Sequence, residues 1–326
     1  MNKKLLAIAV GAAVAFPAVA LADGPTVYGK MNVTLEQYDD GTDSQFQLDS
    51  NNSRLGVKGS YGLDVGGLSA IYQAEFGINV DDGAGPFSQR NIYAGLKGGF
   101  GAVMAGKFDT PLKTSQGKID QFGDLDGDIK SILAGENRVN NIVQYASPKI
   151  ADSVTINAAF IPGEGNDIDG DGEVEDGVAD STSLSVVFES AGFYAALAQD
   201  SDISDDLEAD DQGASDTLDI TRLVGAYKAD AFEVGALYQI ASETEGDGED
   251  TTMLVSGAFS IDRVKLKAQY GITEGDQSEE ELTTMSLGAD YKLAKASKVF
   301  AYYTLNEADL AGDEDTFIAV GLEHKF

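Results

Sequence analysis

The segment 166-NDIDGDGEVEDG-177 has residue types and spacing that are typical of a calcium-binding loop. Asp167, Asp169 and Asp171 occupy alternate positions, and Gly172 follows them. In an EF-hand loop, carboxylates at this spacing surround the ion, and a glycine at this place permits the sharp turn of the backbone. The first half of the segment therefore raises the hypothesis of a calcium site.

The second half of the segment and its flanks argue against an EF-hand. The twelfth position of such a loop carries a bidentate glutamate, but here it is Val178. The flanks 153-SVTINAAFI-161 and 182-TSLSVVFES-190 alternate like strands, whereas an EF-hand needs paired helices. We therefore predict an acidic loop between two strands and leave weak divalent binding open.

Acidic segments recur along the chain, whose formal net charge is −33. They include 200-DSDISDDLEADDQ-212, 243-ETEGDGED-250 and 279-EEE-281. This charge argues against nucleic acid as a partner, because phosphate contacts need a basic surface. The calcium-like motif is thus one instance of a general acidic bias.

The first residues resemble an export signal. Lys3 and Lys4 precede an apolar run over 5–16, and Ala20-Leu21-Ala22 gives an A-x-A cleavage site. We predict a signal peptide at 1–22 and a mature domain at 23–326. The chain has no cysteine, which fits the periplasm or outer membrane of a Gram-negative cell. After residue 22, no run of eighteen apolar residues suggests a transmembrane helix.

Apolar and polar residues alternate along many segments. In 27-VYGKMNVTLE-36 the odd-numbered residues are apolar or small, and the even-numbered residues are mostly polar. The same alternation recurs in 68-LSAIYQAEFGI-78, 232-FEVGALYQI-240 and 264-VKLKAQYGI-272. A period of two predicts β-strands with one apolar and one polar face.

The connections between these strands alternate between short and long. Short ones include 98–101 and 191–192, and long ones include 110–137, 163–180 and 201–218. About sixteen strands separated in this way predict an all-β fold: a sixteen-stranded antiparallel transmembrane β-barrel with short periplasmic turns and long extracellular loops. A soluble β-sandwich also alternates, but its loops do not alternate in length, and its inward face would not accept so many charges.

Several segments together resemble general Gram-negative porins over essentially all of 23–326. The matching pieces are 27-VYGKMNVTL-35, 53-SRLGVKGSYGL-63, 71-IYQAEFGINVDDG-83, 89-QRNIYAGLKGGFGAVMAGKFDTP-111, 138-RVNNIVQYASP-148 and 321-GLEHKF-326. The resemblance implies a sixteen-stranded barrel, usually a homotrimer, whose third long loop folds into the pore. It also implies passive diffusion of small hydrophilic solutes and ions, without a cofactor.

The resemblance further implies a row of basic wall residues facing carboxylates on the inserted loop, because opposed charges set up a transverse field that orients solutes. The matched motifs place the basic row at Lys30, Arg54, Lys58, Arg90 and Arg138. Alternation agrees with this for all except Arg90. Arg90 shares its parity with apolar residues such as Ile92, so periodicity alone predicts that it points outward.

The acidic side of the constriction is predicted in 120-DQFGDLDGD-128, which resembles the Phe-Gly tip of the family's constriction loop. Many relatives carry Pro-Glu before Phe-Gly, whereas this chain has Asp120-Gln121. The acidic partner is therefore shifted, and we predict Asp120 and Asp124 in that role.

These patterns favour an outer-membrane channel over an enzyme. The single histidine, His324, has no evident nucleophile or acidic partner. We predict mild cation selectivity from the acidic rim, and binding of the rim to lipopolysaccharide phosphates through Mg²⁺ or Ca²⁺. Two alternatives stay open: a substrate-selective channel with aromatic rungs at Phe300 and Tyr302, and a barrel whose acidic loops serve mainly surface binding.

Overall fold

The structure is a computed structural model, and it describes residues 24–82, 85, 87–165, 176–205, 208–209, 217–310 and 312–326. The predicted signal peptide lies outside the described residues. So do Asp167, Asp169 and Asp171 of the calcium-like motif.

Within the described part of the chain, seventeen strands form one antiparallel sheet that closes on itself, because the first strand pairs with the last. The strands are β1 (Thr26–Asp39), β2 (Ser44–Ser50), β3 (Arg54–Gly62), β4 (Ser69–Ile78), β5 (Phe87–Gly98), β6 (Gly101–Asp109), β7 (Arg138–Ala146), β8 (Val154–Ile161), β9 (Ser181–Ser190), β10 (Phe193–Ser204), β11 (Thr217–Lys228), β12 (Phe232–Glu243), β13 (Glu249–Ile261), β14 (Val264–Gly275), β15 (Glu281–Ala294), β16 (Ser297–Ala308) and β17 (Asp313–Lys325). Since β2 and β3 both pair with β1, they are two parts of one barrel strand. The fold is thus the predicted closed barrel of sixteen strands.

The predicted alternation sets the two faces of the barrel. On β1, Lys30, Asn32 and Thr34 are buried inside, while Val27 and Leu35 are 61% and 52% exposed on the outside. Similar outward apolar residues on other strands are Leu197, Leu223, Val234, Val255, Leu266, Leu287, Ile318, Val320 and Leu322. Because closure pairs each strand on both sides, the backbone of the barrel has no free edge to expose to lipid.

Residues 110–137, between β6 and β7, fold inside the barrel; we call this segment the inner loop. It begins with a short helix, α1 (Pro111–Ser115), and includes a 3₁₀ turn at Ile129–Ser131. The helix starts at Thr110, whose hydroxyl accepts a hydrogen bond from the Lys113 backbone N–H at 3.1 Å. No helix of the described residues is long and apolar enough to cross a membrane.

The inner loop covers an apolar part of the inner wall. Its residues Ile119, Ile129, Ile132 and Leu133 are at most 1% exposed. They pack against side chains of β9 to β13, namely Val187, Tyr194, Ala196, Val224, Leu237 and Leu254. The inward face of these strands is therefore partly apolar, because the loop and not water covers it.

Candidate pore constriction

Arg222 on β11 fixes the C-terminal end of the inner loop. Its side chain is fully buried. The guanidinium donates to Glu136 Oε1 at 2.8 Å, to Gln239 Oε1 at 2.7 Å and to the Ala134 carbonyl at 3.1 Å. A buried guanidinium with its donors engaged in this way holds two residues of the loop against the wall.

Other wall side chains hold the middle of the inner loop. Ser256, Lys267, Gln269 and Thr273 each donate a hydrogen bond to a backbone carbonyl of the loop. An irregular segment leaves many backbone groups unpaired, so donors from the wall satisfy them. The loop is therefore tied to β13 and β14 along its length.

The tip of the loop reaches the wall at β1. The Asp124 carboxylate accepts a hydrogen bond from Lys30 Nζ and forms an ion pair with it. Arg54 Nη2 on β3 lies 3.8 Å from the same carboxylate oxygen. Asp124 has a φ of 68°, a left-handed conformation that aspartate tolerates better than most residues. Asp124 is thus the point where the acidic loop meets the predicted basic row.

The charge of Asp124 follows from these neighbours. Burial alone would raise the pKa of this carboxyl, but the positive charges of Lys30, Arg54 and Arg90 outweigh burial and hold the pKa below its usual range. The group is therefore ionised at neutral pH and available to the basic row.

Asp120, the other predicted acidic residue, has a different environment. Its Oδ1 accepts from the Phe122 N–H at 2.8 Å, and its Oδ2 accepts from the Ile129 N–H at 3.3 Å. Burial, together with the nearby charge of Asp128, raises its pKa. The contacts of Asp120 thus lie within the loop, and it forms no ion pair with the basic row in the described structure.

Arg90 turns inward, against what periodicity alone predicts. Its Nε lies 2.9 Å from Glu75 Oε1, and its Nη1 donates to Asn52 Oδ1 at 2.7 Å. The register between β4 and β5 shifts at this place, because Phe76 pairs with Gln89 while Ala74 pairs with Ile92. A β-bulge inserts one extra residue and so reverses the parity on which the count depends.

The remaining basic residues lie on the same arc of wall. Arg138 Nη2 on β7 is 2.8 Å from Asp109 Oδ1, and Lys113 Nζ is 3.8 Å from that oxygen. Lys58 Nζ lies 4.8 Å from the centre of the Tyr28 ring, a cation–π distance. Strands β1, β3, β5 and β7 thus carry all five predicted basic residues. Asp124 is shared by Lys30 and Arg54, and Asp109 is shared by Lys113 and Arg138. Each of these clusters of two cations and one carboxylate therefore has a net positive charge.

Phe300 and Tyr302 do not line the pore as aromatic rungs. They are 5% and 4% exposed and pack with Phe122 and Leu125 of the inner loop. The Tyr302 hydroxyl is 2.5 Å from Asp126 Oδ2. These two aromatic residues therefore support the loop, and they do not favour a substrate-selective path.

Among the residues that the structure describes, no group of three or more His, Cys, Asp or Glu side chains is arranged to hold a metal ion. No role is predicted from the sequence for Arg222, which lies outside the matched motifs, or for the bridging carboxylate Asp109, which lies inside one of them.

The chain resembles known channel proteins in sequence and in fold. The model of the Gram-negative porin family matches residues 7–311. The major outer membrane protein P.IB of Neisseria sicca is 26% identical over 371 aligned residues, and that of Neisseria gonorrhoeae 24% identical over 363, with both alignments covering 100% of each chain.

Solved structures share the barrel. The anion-selective porin from Comamonas acidovorans has a TM-score of 0.76 at 20% identity, covering 93% of this chain and 99% of that chain. OmpF of Salmonella typhi, solved with daunomycin, has a TM-score of 0.72 at 14% identity, covering 93% and 97%. A trimer form of OmpT from Vibrio cholerae has a TM-score of 0.66 at 20% identity, covering 93% and 100%. At these identities the likeness shows the fold alone.

Proposed function

Because the chain belongs to the Gram-negative porin family, we propose that its barrel is a water-filled outer-membrane channel whose narrowest section lies beside Asp124. The observation that carries this proposal is the meeting of Asp124 with Lys30 and Arg54 inside a closed barrel. Opposed fixed charges across a narrow section orient water and small polar solutes, while the gap limits their size.

The basic side of this section is formed by wall residues and the acidic side by the loop. The basic residues are Lys30, Arg54, Lys58, Arg90 and Arg138. Asp124 supplies the facing carboxylate, whereas Asp120 shapes the loop through its contacts with Phe122 and Ile129. The channel needs no cofactor, because diffusion through a fixed gap involves no chemical step.

The ion preference that we propose is mildly cationic. Seven connections at the long-loop end contain neither lysine nor arginine: 40–43, 79–86, 162–180, 205–216, 244–248, 276–280 and 309–312. An acidic mouth concentrates cations before they reach the basic constriction. The anion-selective porin of Comamonas acidovorans has the same fold, so fold alone does not set the sign of selectivity.

The same acidic mouth supports a proposal about the surrounding lipid. Mg²⁺ or Ca²⁺ bound between the loop carboxylates and lipopolysaccharide phosphates would neutralise both sets of charge. We expect chelation of divalent ions to lower the thermal stability of the barrel in lipopolysaccharide-containing membranes but not in neutral detergent. If chelation lowers the melting temperature equally in both environments, or in neither, the bridging proposal is contradicted.

We also propose that residues 1–22 are removed on export and that three copies assemble. A trimer form exists for OmpT, which shares the fold. The native mass of the protein purified from outer membranes would give the number of copies, and its N-terminal sequence would give the cleavage point. A monomeric mass or an intact Met1 would contradict the respective proposal.

The central experiment is conductance of the folded protein in a planar bilayer under a KCl gradient. Open steps of stable size would support the channel, and the sign of the zero-current potential would report the ion preference. A potential of the anionic sign would overturn the proposed cation preference while leaving the channel intact. Folded protein that gives no steps would overturn the channel itself.

A further inference from the structure

Five lysines lie on the inner side of the barrel near its short-turn end. We call them the lysine belt: Lys118, Lys228, Lys265, Lys267 and Lys298. Lys228 is the last residue of β11, and Lys265 and Lys298 are the second residues of β14 and β16. The turns beside these strand ends therefore hold the three lysines at one level of the barrel. Lys118 joins them from the inner loop.

The lysine belt carries more positive charge than its carboxylates balance. Glu233 is shared by Lys228, in close contact, and by Lys265 at 3.1 Å. Asp290 is shared by Lys267 at 3.5 Å and Lys298 at 2.9 Å. In these ion pairs four of the five ammonium groups share two carboxylates, so three of the five positive charges have no carboxylate of their own.

Lys118 is the member of the belt with the least compensation. Among the described residues no carboxylate lies within ion-pair distance of its ammonium group. Partial burial lowers the pKa of Lys118 most, followed by the charge of Lys228. Lys265 and Lys325 act in the same direction, against the opposing effect of Glu233. An anion placed between these lysines would relieve the repulsion.

Lysines of the belt are also accessible from the lumen. The side chains of Lys228, Lys265 and Lys298 are 29%, 32% and 29% exposed, although each has a carboxylate partner. A partly exposed ammonium group has three N–H donors, so it can hydrogen-bond to a second anion while it keeps its carboxylate partner. Lys267 is 4% exposed and adds its charge from behind.

We propose that the lysine belt is a binding site for small polyvalent oxyanions, of which inorganic phosphate and diphosphate are the simplest. Several lysine point charges around one anion give strong charge-assisted hydrogen bonds without demanding one fixed geometry. The carboxylate-rich long-loop mouth repels such anions, so they reach the belt from the short-turn mouth. The inference rests on the proposed channel only for this route of entry.

Calorimetric titration of the refolded protein with inorganic diphosphate, in neutral detergent without divalent ions, tests binding without any need for current. Lys118→Gln removes an unpaired charge of the belt and should weaken the affinity about fivefold to tenfold. Lys295→Gln is the matched control, because it removes the same charge from an exposed turn outside the lumen. The control should change the affinity by less than about twofold.

The proposal is overturned if diphosphate does not bind, or if the control weakens binding as much as Lys118→Gln does. Lys118→Gln/Lys298→Gln should weaken binding further than either single change. Circular dichroism of each variant checks that the barrel has folded.

Bilayer recordings on channels of one orientation test the route of entry. Diphosphate added on the short-turn side should reduce the current at concentrations that have little effect from the long-loop side. Equal effects from both sides would overturn the one-sided access. If the protein binds diphosphate but forms no channel, the proposed function is overturned and the proposed oxyanion site stands. If it forms channels but binds no diphosphate, the oxyanion site is overturned and the proposed function stands.

Discussion

The ammonium group of Lys30 on the first strand forms an ion pair with the carboxylate of Asp124 at the tip of the inner loop, 94 positions further along the chain. Lys30 is 4% exposed at the side chain and Asp124 is 27% exposed. The contact therefore holds the tip against β1, and in the proposed constriction it places one carboxylate beside two cations.

Asp124→Asn should change both the ion preference and the stability. The change removes one negative charge beside Lys30 and Arg54, so the zero-current potential under a KCl gradient should shift toward anion preference. It also leaves Lys30 without its ion-pair partner, which should lower the free energy of unfolding by about 1–3 kcal/mol.

Asp64→Asn is a suitable control for Asp124→Asn, because Asp64 is an exposed residue of the short turn between β3 and β4, at the opposite end of the barrel from the acidic mouth. It should leave the free energy of unfolding within about 0.5 kcal/mol of the wild-type value. If Asp124→Asn shifts the zero-current potential no more than Asp64→Asn does, Asp124 has no special place in the constriction.

Arg222→Met should detach the C-terminal end of the inner loop. Burial raises the pKa of Glu136, and the charge of Arg222 opposes this effect. Without Arg222 the Glu136 carboxylate keeps its hydrogen bond from Gln116 Nε2 at 3.1 Å but loses its ion-pair partner. This loss should cost about 3–5 kcal/mol of stability and increase the noise of the open-channel current. Urea unfolding and single-channel recording measure the two effects.

The double variant Arg222→Met/Glu136→Gln checks the mechanism of that loss. Removing the buried carboxylate along with its partner should recover part of the stability, because the remaining cost is then loss of hydrogen bonds and not an isolated charge. If the loss of stability in the double variant equals the sum of the losses in Arg222→Met and Glu136→Gln, the ion pair does not act as a unit.

Asp120 should make the stability of the protein depend on pH. Burial and the charge of Asp128 raise its pKa in the folded loop, so the folded state holds a proton that the unfolded chain releases. The contribution of Asp120 to the free energy of unfolding is fully present below the unfolded pKa of about 3.9 and is lost as the pH rises through the higher folded pKa.

Asp120→Asn should therefore flatten the decline of thermal stability with rising pH above about 4. Asp124 is the built-in contrast: its pKa is lowered, so its contribution is present above the unfolded value and is lost as the pH falls through the folded pKa. If the wild type and Asp120→Asn show parallel curves, Asp120 does not hold a proton in the folded loop.

Most of the fold, and the inward position of several candidate residues, follow from the sequence for identifiable reasons. Alternation gives the correct faces wherever one side meets lipid and the other meets water or polar groups, as at Lys30 on β1. It fails at Arg90, because a bulge changes the parity and the sequence does not mark the bulge. A residue count cannot detect such a shift.

Arg222 and Asp120 show a second limit of sequence-based prediction: the sequence does not reveal the partner or the environment of a buried charged residue. The inward face of β11 carries Leu218, Ile220 and Val224 around Arg222, and all four are at most 1% exposed. A lone arginine on an apolar face could have indicated a buried ion pair, but its partner Glu136 lies 86 positions away. The roles of Asp120 and Asp124 differ through backbone conformation and burial, and neither can be read from two aspartates in one short loop.

The uneven distribution of charge along the barrel axis predicts a rectifying current. The long-loop mouth is acidic and has no basic residue in seven of its connections, whereas the lysine belt occupies the short-turn end. When the long-loop side is positive, cations enter through the acidic mouth and anions enter past the belt, so both accumulate and conductance is high. The opposite polarity depletes both kinds of ion.

We therefore expect oriented channels in symmetric, low-salt KCl to pass more current when the long-loop side is positive. The asymmetry should fade near 1 M salt, where the screening length falls to about 3 Å. Lys118→Gln/Lys298→Gln should reduce it, because the variant removes positive charge from one end alone, and Lys295→Gln should preserve it. A linear current–voltage curve at low salt, or a larger current at the opposite polarity, would show that the axial charge difference does not control ion flow.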